Sequence, residues 1–223
     1  MSHDHDLDHP HPHRHPPQPD EEDTSPTEYR RLEAAVRELL VEKGLFSADD
    51  VRQVLERFDS QTPAIGARVV ARAWVDPAYR ARLLADGSAA VGELGIDMEG
   101  VKLVVVENTP EVHNLIVCTL CSCYPRPVLG LPPDWYKSRA YRSRAVREPR
   151  ALLREFGTTL PDGITIRVHD SSADMRYLVL PMRPPGTEGM GEAELAELVT
   201  RDSMVGVSLP LKPQPAAAAG SPG

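Results

Sequence analysis

Val117-Cys118-Thr119-Leu120-Cys121-Ser122-Cys123-Tyr124-Pro125 places all three cysteines of the chain within six residues, directly behind the apolar run His113–Val117. A disulfide framework spaces its cysteines and favours an even count, so these thiols read as reduced and the setting as cytoplasmic. Upstream, Val101–Val106 is short and β-branched and predicts a strand; Asn108-Thr109-Pro110 predicts a turn, and His113–Val117 a second strand. Downstream, Tyr124–Pro133 is a loop rich in proline and glycine, followed by short helices around Pro133–Tyr136 and Ala145–Phe156, the latter closed by Gly157. Thr165–His169 and Arg176–Leu180 predict two more strands with a turn between them, and Glu192–Val199 a last helix. The expectation is an α+β fold whose mixed layered α/β core, residues 101–209, carries the cysteine cluster.

Before residue 101 the pattern is helical. In Thr27–Gly44, Leu32, Val36, Leu39 and Leu40 recur at i, i+4, i+7 and i+8, with charged residues outside the stripe and Gly44 as the stop. Ser47 is a candidate N-cap for a helix ending near Phe58; Thr62–Trp74 and Pro77–Leu84 predict two more. Residues 27–100 thus read as a helical arm whose apolar faces rest on a partner, because 5% aromatic residues is little for a self-sufficient core. Residues 1–26 read as a disordered tail, since they are polar and rich in proline and hold six of the eight histidines. That tail either solvates or scavenges transition metal, which imidazole suits. Residues 210–223 read as a flexible C-terminal tail.

Composition narrows the partners. With 25 Lys+Arg against 33 Asp+Glu, the net charge of −8 argues against a nucleic-acid binder, which needs clustered cations. No apolar run approaches the roughly 20 residues of a membrane helix, and the polar, His-rich start has no signal-peptide core. The arginines at 142, 144, 147, 150 and 154 form a basic run that reads as interface pairing or a solvated helix face.

The C-x2-C-x-C spacing itself admits several chemistries. The thiols can pack as small hydrophobes. They can hold structural zinc with His113 as fourth ligand, giving a non-enzymatic interaction module. An iron–sulfur cluster wants four cysteines at longer spacings, and a redox cysteine wants a helix start. A further geometry comes from the single residue between Cys121 and Cys123, which sets the amide nitrogens of Ser122 and Cys123 beside the sulfurs. Three thiolates and two anionic amides give a trivalent metal five ligands and leave one octahedral position open, as a catalytic centre requires.

The stretch VCTLCSCYPRPVLGLPPDWYKSRAYRSRAVREPRALLREFG resembles the α subunit of nitrile hydratase and the homologous γ subunit of thiocyanate hydrolase. The resemblance continues through Arg176–Pro184 and Leu198–Asp202 and covers roughly Thr27–Pro210. It implies a low-spin cobalt(III) or iron(III) centre held by the sulfurs of Cys118, Cys121 and Cys123 and the amides of Ser122 and Cys123. Cys121 would be oxidised to sulfinic acid and Cys123 to sulfenic acid. Thr119 and Tyr124 resemble the cobalt class, so cobalt is the expected metal. The implied reaction is hydration of a small nitrile to its amide, with Cys121, Ser122 and Cys123 at the catalytic centre; activated water or the sulfenate oxygen of Cys123 is the nucleophile. The implied partner is a β subunit that supplies arginines to the oxidised sulfurs, in an α2β2 or similar heteromer, with an activator protein loading the metal. The alternative is the γ subunit of a thiocyanate hydrolase: nitrile hydratases commonly carry Tyr-Pro-Trp-Pro after the cluster, whereas Arg126 stands in the tryptophan's place and suits an anion. Glu99 is the second expected pocket residue, matched to a polar group that positions water.

Overall fold

This computed structural model describes residues 28–213. The His-rich segment and the alanine-rich C-terminus, for which tails were expected, lie outside them. Residues up to Ser47 form one unit and those from Ala48 onward a second. The first unit contains α1 (Glu28–Glu42), whose Leu32, Val36 and Leu39 remain exposed. Gly44, at φ 69°, ends it: the left-handed turn lets the Leu45 N–H donate to the Leu40 carbonyl at 3.1 Å.

The second unit opens with α2 (Ala48–Ser60), which buries no residue. Then α3 (Pro63–Val75) starts on a proline and turns Val69, Val70 and Ala73 inward. Asp76 caps α4 (Pro77–Ala85) by accepting the Tyr79 N–H at 2.9 Å, and Asp86 caps α5 (Gly87–Gly92) in the same way. Leu83 and Val91 from these helices join one apolar cluster with the strands. The apolar core therefore reaches upstream of residue 101 and includes residues of α3–α5. The low aromatic content is offset by valine, leucine and alanine.

Four strands follow: β1 (Lys102–Glu107), β2 (Val112–Val117), β3 (Thr165–Asp170) and β4 (Met175–Leu180). They form two parallel pairs. β1 runs beside β4, with Lys102 opposite Met175, and β2 beside β3, with Val117 opposite Asp170. The strands β3 and β4, adjacent in sequence, join different sheets. β2 is buried on both faces along Leu115-Ile116-Val117, which is why it reads as an unbroken apolar run. Between β2 and β3 the chain crosses over through α6 (Arg126–Leu129), α7 (Asp134–Lys137), α8 (Arg139–Arg147) and α9 (Pro149–Glu155), as a parallel pair demands. The single helix expected over Ala145–Phe156 is thus two, broken at Pro149, whose ring cannot continue α8. α10 (Glu192–Glu197) and α11 (Arg201–Val205) complete the unit. No helix among the described residues is long and apolar enough to cross a membrane.

A buried polar chain ties β2 to α11. Asn108 Oδ1 accepts the Asn114 N–H at 2.7 Å, and Asn114 Nδ2 donates to the Glu107 carbonyl at 2.7 Å. The His113 ring lies 3.3 Å from Asn108 Nδ2 through Nδ1 and 2.7 Å from the Gly206 carbonyl through Nε2. Burial lowers the pKa of His113, so the neutral ring, donating from Nε2 and accepting at Nδ1, fits both partners.

Candidate metal centre

The cysteine segment leaves the carboxyl end of β2, where parallel sheets place their ligands. Cys118 is fully buried, Cys123 is half-buried and Cys121 is exposed. Cys118 Sγ lies 3.5 Å from Cys121 Sγ, which lies 3.2 Å from Cys123 Sγ, and all three fall within 4.8 Å of one another. Cys118 Sγ also accepts the Cys121 N–H at 3.2 Å. The Cys121 thiol is held below its usual range, first by the hydrogen bond from Cys123 and further by the backbone N–H groups of Cys123 and Ser122 that face it. Burial pushes the Cys123 thiol up to about 12, against the nearby charge of Arg176.

The donor set suits a metal. A disulfide needs sulfurs about 2.05 Å apart, and these are not. Two sulfurs about 2.3 Å from one ion lie about 3.3 Å apart at a right angle and about 3.8 Å apart at a tetrahedral one. The spacings of 3.2 and 3.5 Å are of the size that neighbouring sulfurs on one ion require. Both ring nitrogens of His113 are engaged elsewhere, so it does not supply the fourth ligand that the structural-zinc alternative would need, and among the described residues the metal-type cluster holds the three cysteines.

The turn is fixed from outside the motif. The Asp170 carboxylate at the end of β3 accepts the Thr119 N–H at 2.9 Å and its hydroxyl at 2.5 Å. Ser171 N–H donates to the Val117 carbonyl at 2.7 Å. Tyr136 Oη donates to the Cys123 carbonyl at 2.9 Å, and Arg142 Nη1 to the Leu120 carbonyl at 3.2 Å. Behind the turn, Tyr124, Tyr136, Trp135, Tyr141 and Phe156 stack edge to face, with Tyr124 and Tyr136 centroids 4.9 Å apart. Among the described residues the buried side-chain polar atoms without a partner are Tyr124 Oη, Arg142 Nε and Ser171 Oγ, which all belong to residues flanking this segment.

The other expected site residues fall elsewhere. Arg126 is exposed at the start of α6, its guanidinium 5.5 Å above the Phe58 ring. Glu99 is exposed in the turn before β1 at φ 54°, with its carboxylate 3.9 Å from Arg57 Nε. The recorded contacts of neither residue reach the cysteines. Asp170 and Arg176 were missed, and no local signal marks them. Only the pairing of β2 with β3 brings Asp170 to Thr119.

Three cysteine sulfurs gathered at the end of a parallel strand pair fit a thiolate metal site. The family described as nitrile hydratase, alpha chain, matches residues 27–208, and the chain belongs to that family. It is 54% identical over 184 residues to the low-molecular weight cobalt-containing nitrile hydratase subunit alpha of Rhodococcus rhodochrous, covering 82% of this chain and 89% of that one. It is also 47% identical over 196 residues to the thiocyanate hydrolase subunit gamma of Thiobacillus thioparus, covering 82% and 81%. A solved structure of recombinant thiocyanate hydrolase with partially modified cobalt centres superposes with a TM-score of 0.79 at 42% identity, over 88% of this chain and 99% of that one.

Proposed function

We propose that the chain is the metal-binding α subunit of a nitrile hydratase, converting R–C≡N and water to R–C(=O)NH2 at a cobalt(III) centre. Convergence of the three sulfurs in a chain of this family carries the reading. Cys118, Cys121 and Cys123 would hold the ion through sulfur, and Ser122 and Cys123 through their amides. Cobalt there supplies a Lewis acid that makes the nitrile carbon electrophilic. The chain's own residues prepare that step. Cys118 anchors the turn in the core while Cys121 and Cys123 face outward. Asp170 and Tyr136 hold Thr119 and the Cys123 carbonyl, so that the donors need no reorganisation. Arg176 lends positive charge beside Cys123, which favours an anionic, oxidised sulfur there. Oxidation of Cys121 to sulfinate and Cys123 to sulfenate would move the negative charge of each sulfur onto added oxygens. A β subunit would supply the remaining cationic partners, so activity should require the heteromer.

Purification with the β subunit, elemental analysis and peptide mass spectrometry test this. About one cobalt per chain is expected, with two added oxygens on Cys121 and one on Cys123, together with amide formation from a small nitrile. Zinc with unmodified cysteines would overturn it. A second reading rests on the 47% identity to a thiocyanate hydrolase subunit gamma: release of carbonyl sulfide and ammonia without nitrile hydration would establish that hydrolase instead.

Asp170 gives a sharper test of the turn. Asp170→Ala removes both acceptors from Thr119. Metal retention under chelator challenge, or turnover, should fall about 10–100-fold, as for other groups that orient ligands. Retention equal to the parent chain would show that the turn holds its shape without the carboxylate.

A further inference from the structure

We infer that the buried polar chain between β3 and α11 is an acid-opened latch: it holds α11 on β2 while His113 is neutral and releases it when the ring takes a second proton. His169 Nε2 donates to Asn114 Oδ1 at 2.8 Å, and Asn114 Nδ2 donates to the Glu107 carbonyl at 2.7 Å and to Asn108 Oδ1 at 3.0 Å. Asn108 Oδ1 also accepts the Asn114 N–H, so two donors hold this oxygen and the Asn108 amide has one orientation. Its Nδ2 then faces His113 Nδ1, while His113 Nε2 donates to the Gly206 carbonyl. Every donor meets an acceptor only while Nδ1 is bare. A proton there sets N–H against N–H among the buried side chains of Asn108, His113 and Asn114, and the amide has no way to turn round. The same end of α11 is held by Thr158 Oγ1, which donates to the Val207 carbonyl at 2.8 Å, and by the buried Met204 and Val205. His113 is the link in this docking that titrates. Arg201 and Asp202 of the same helix act electrostatically on Tyr124, the residue after Cys123, so the latch also backs the cysteine turn.

Other titratable groups border the chain. They are Glu107 on β1, His169 on β3 with Tyr177 stacked on it from β4, Tyr141 on α8, which donates to the Ile116 carbonyl, and Asp202 paired with Arg201 on α11. Burial, opposed by the Gly206 carbonyl, is what lowers His113, and none of these groups adds to it. His169 donates through Nε2 in either charge state, so its own protonation leaves the chain intact. The sign follows from His113. The folded chain keeps this ring neutral below the ordinary imidazole value of about 6.5, so the latch contributes fully above that pH. Its contribution falls below it, by up to about tenfold in the docking equilibrium per pH unit, until the folded ring itself protonates.

Amide hydrogen exchange of the full chain, corrected for the intrinsic rate at each pH, reads the latch directly. The Gly206 and Val207 N–H groups both donate to the Asp202 carbonyl, at 2.9 and 3.0 Å, so their protection reports the docked end of α11. In the parent chain that protection should be steady above about pH 6.5 and fall by up to about tenfold per pH unit below it, more steeply than that of β4. His113→Gln keeps an amide donor and acceptor at the position but has no proton to gain, so this fall should vanish. Asn108→Asp keeps the Oδ1 acceptor and sets a second carboxylate oxygen opposite Nδ1. That oxygen favours the charged ring, so protection should hold or rise as the pH falls to about 5. A merely structural histidine would not reverse its pH dependence in this way. The same fall in the parent and in either variant overturns the latch, as does a parent whose α11 protection is flat across the range. Where one variant does not fold, the other decides.

Discussion

Cys118→Ser should leave a folded chain without its metal. Elemental analysis should show near-zero cobalt, and nitrile turnover in the heteromer should fall by at least about 1,000-fold. Cys118 is fully buried at the end of β2, and its sulfur accepts the Cys121 N–H, so it is the donor around which the turn closes. Serine nearly preserves the volume and still accepts that hydrogen bond, but its hydroxyl does not ionise to a soft ligand. Loss of Lewis-acid stabilisation worth several kcal/mol, at about 1.36 kcal/mol per tenfold in rate, sets the expected scale. A thermal melt of the apo forms separates this loss from unfolding, since the two chains should melt alike. Full cobalt content in the variant would remove Cys118 from the ligand set.

The second large effect is on stability. Gly206 caps α11 at φ 92°, and a Cβ there would land on the Asn114 carbonyl oxygen in the middle of β2. Its own carbonyl accepts from buried His113. Gly206→Ala meets the left-handed penalty and a backbone clash together, and no flexible side chain is available to yield. We expect a loss of about 3–5 kcal/mol, which lowers the urea midpoint by more than about 1 M at typical denaturant slopes. An unchanged midpoint would show that the α11–β2 contact is able to slide apart at little cost.

Local pattern carried a good part of the architecture. The β-branched run at Val101–Val106 and the buried run to Val117 announced β1 and β2, and the heptad-like stripe at Leu32 to Leu40 announced α1. Three short helices, α5, α6 and α11, did not register, because each spans too few residues for a period to repeat, although the equally short α7 and α10 were expected. Which strands pair was also illegible. The apparent Thr165–Leu180 strand pair is split between two sheets, since pairing is decided by crossover helices and burial rather than by spacing. The site divides along the same line. The cysteines are recognisable because they are adjacent in sequence. Asp170 bonds Thr119 between the first two cysteines from a strand about fifty residues later, where it does not look unusual.

That separation gives the centre a place in time. Thr119 and Asp170 are 51 residues apart, and the bond between them closes only when β3 has been made and has found β2. A nascent chain ending near residue 160 would already display all three thiols, yet have neither the carboxylate nor the Ser171 amide that shapes their turn. The ordered claw is thus a late product of synthesis. Until the carboxyl-terminal third has emerged and docked, the thiols lack the partners that shape their turn.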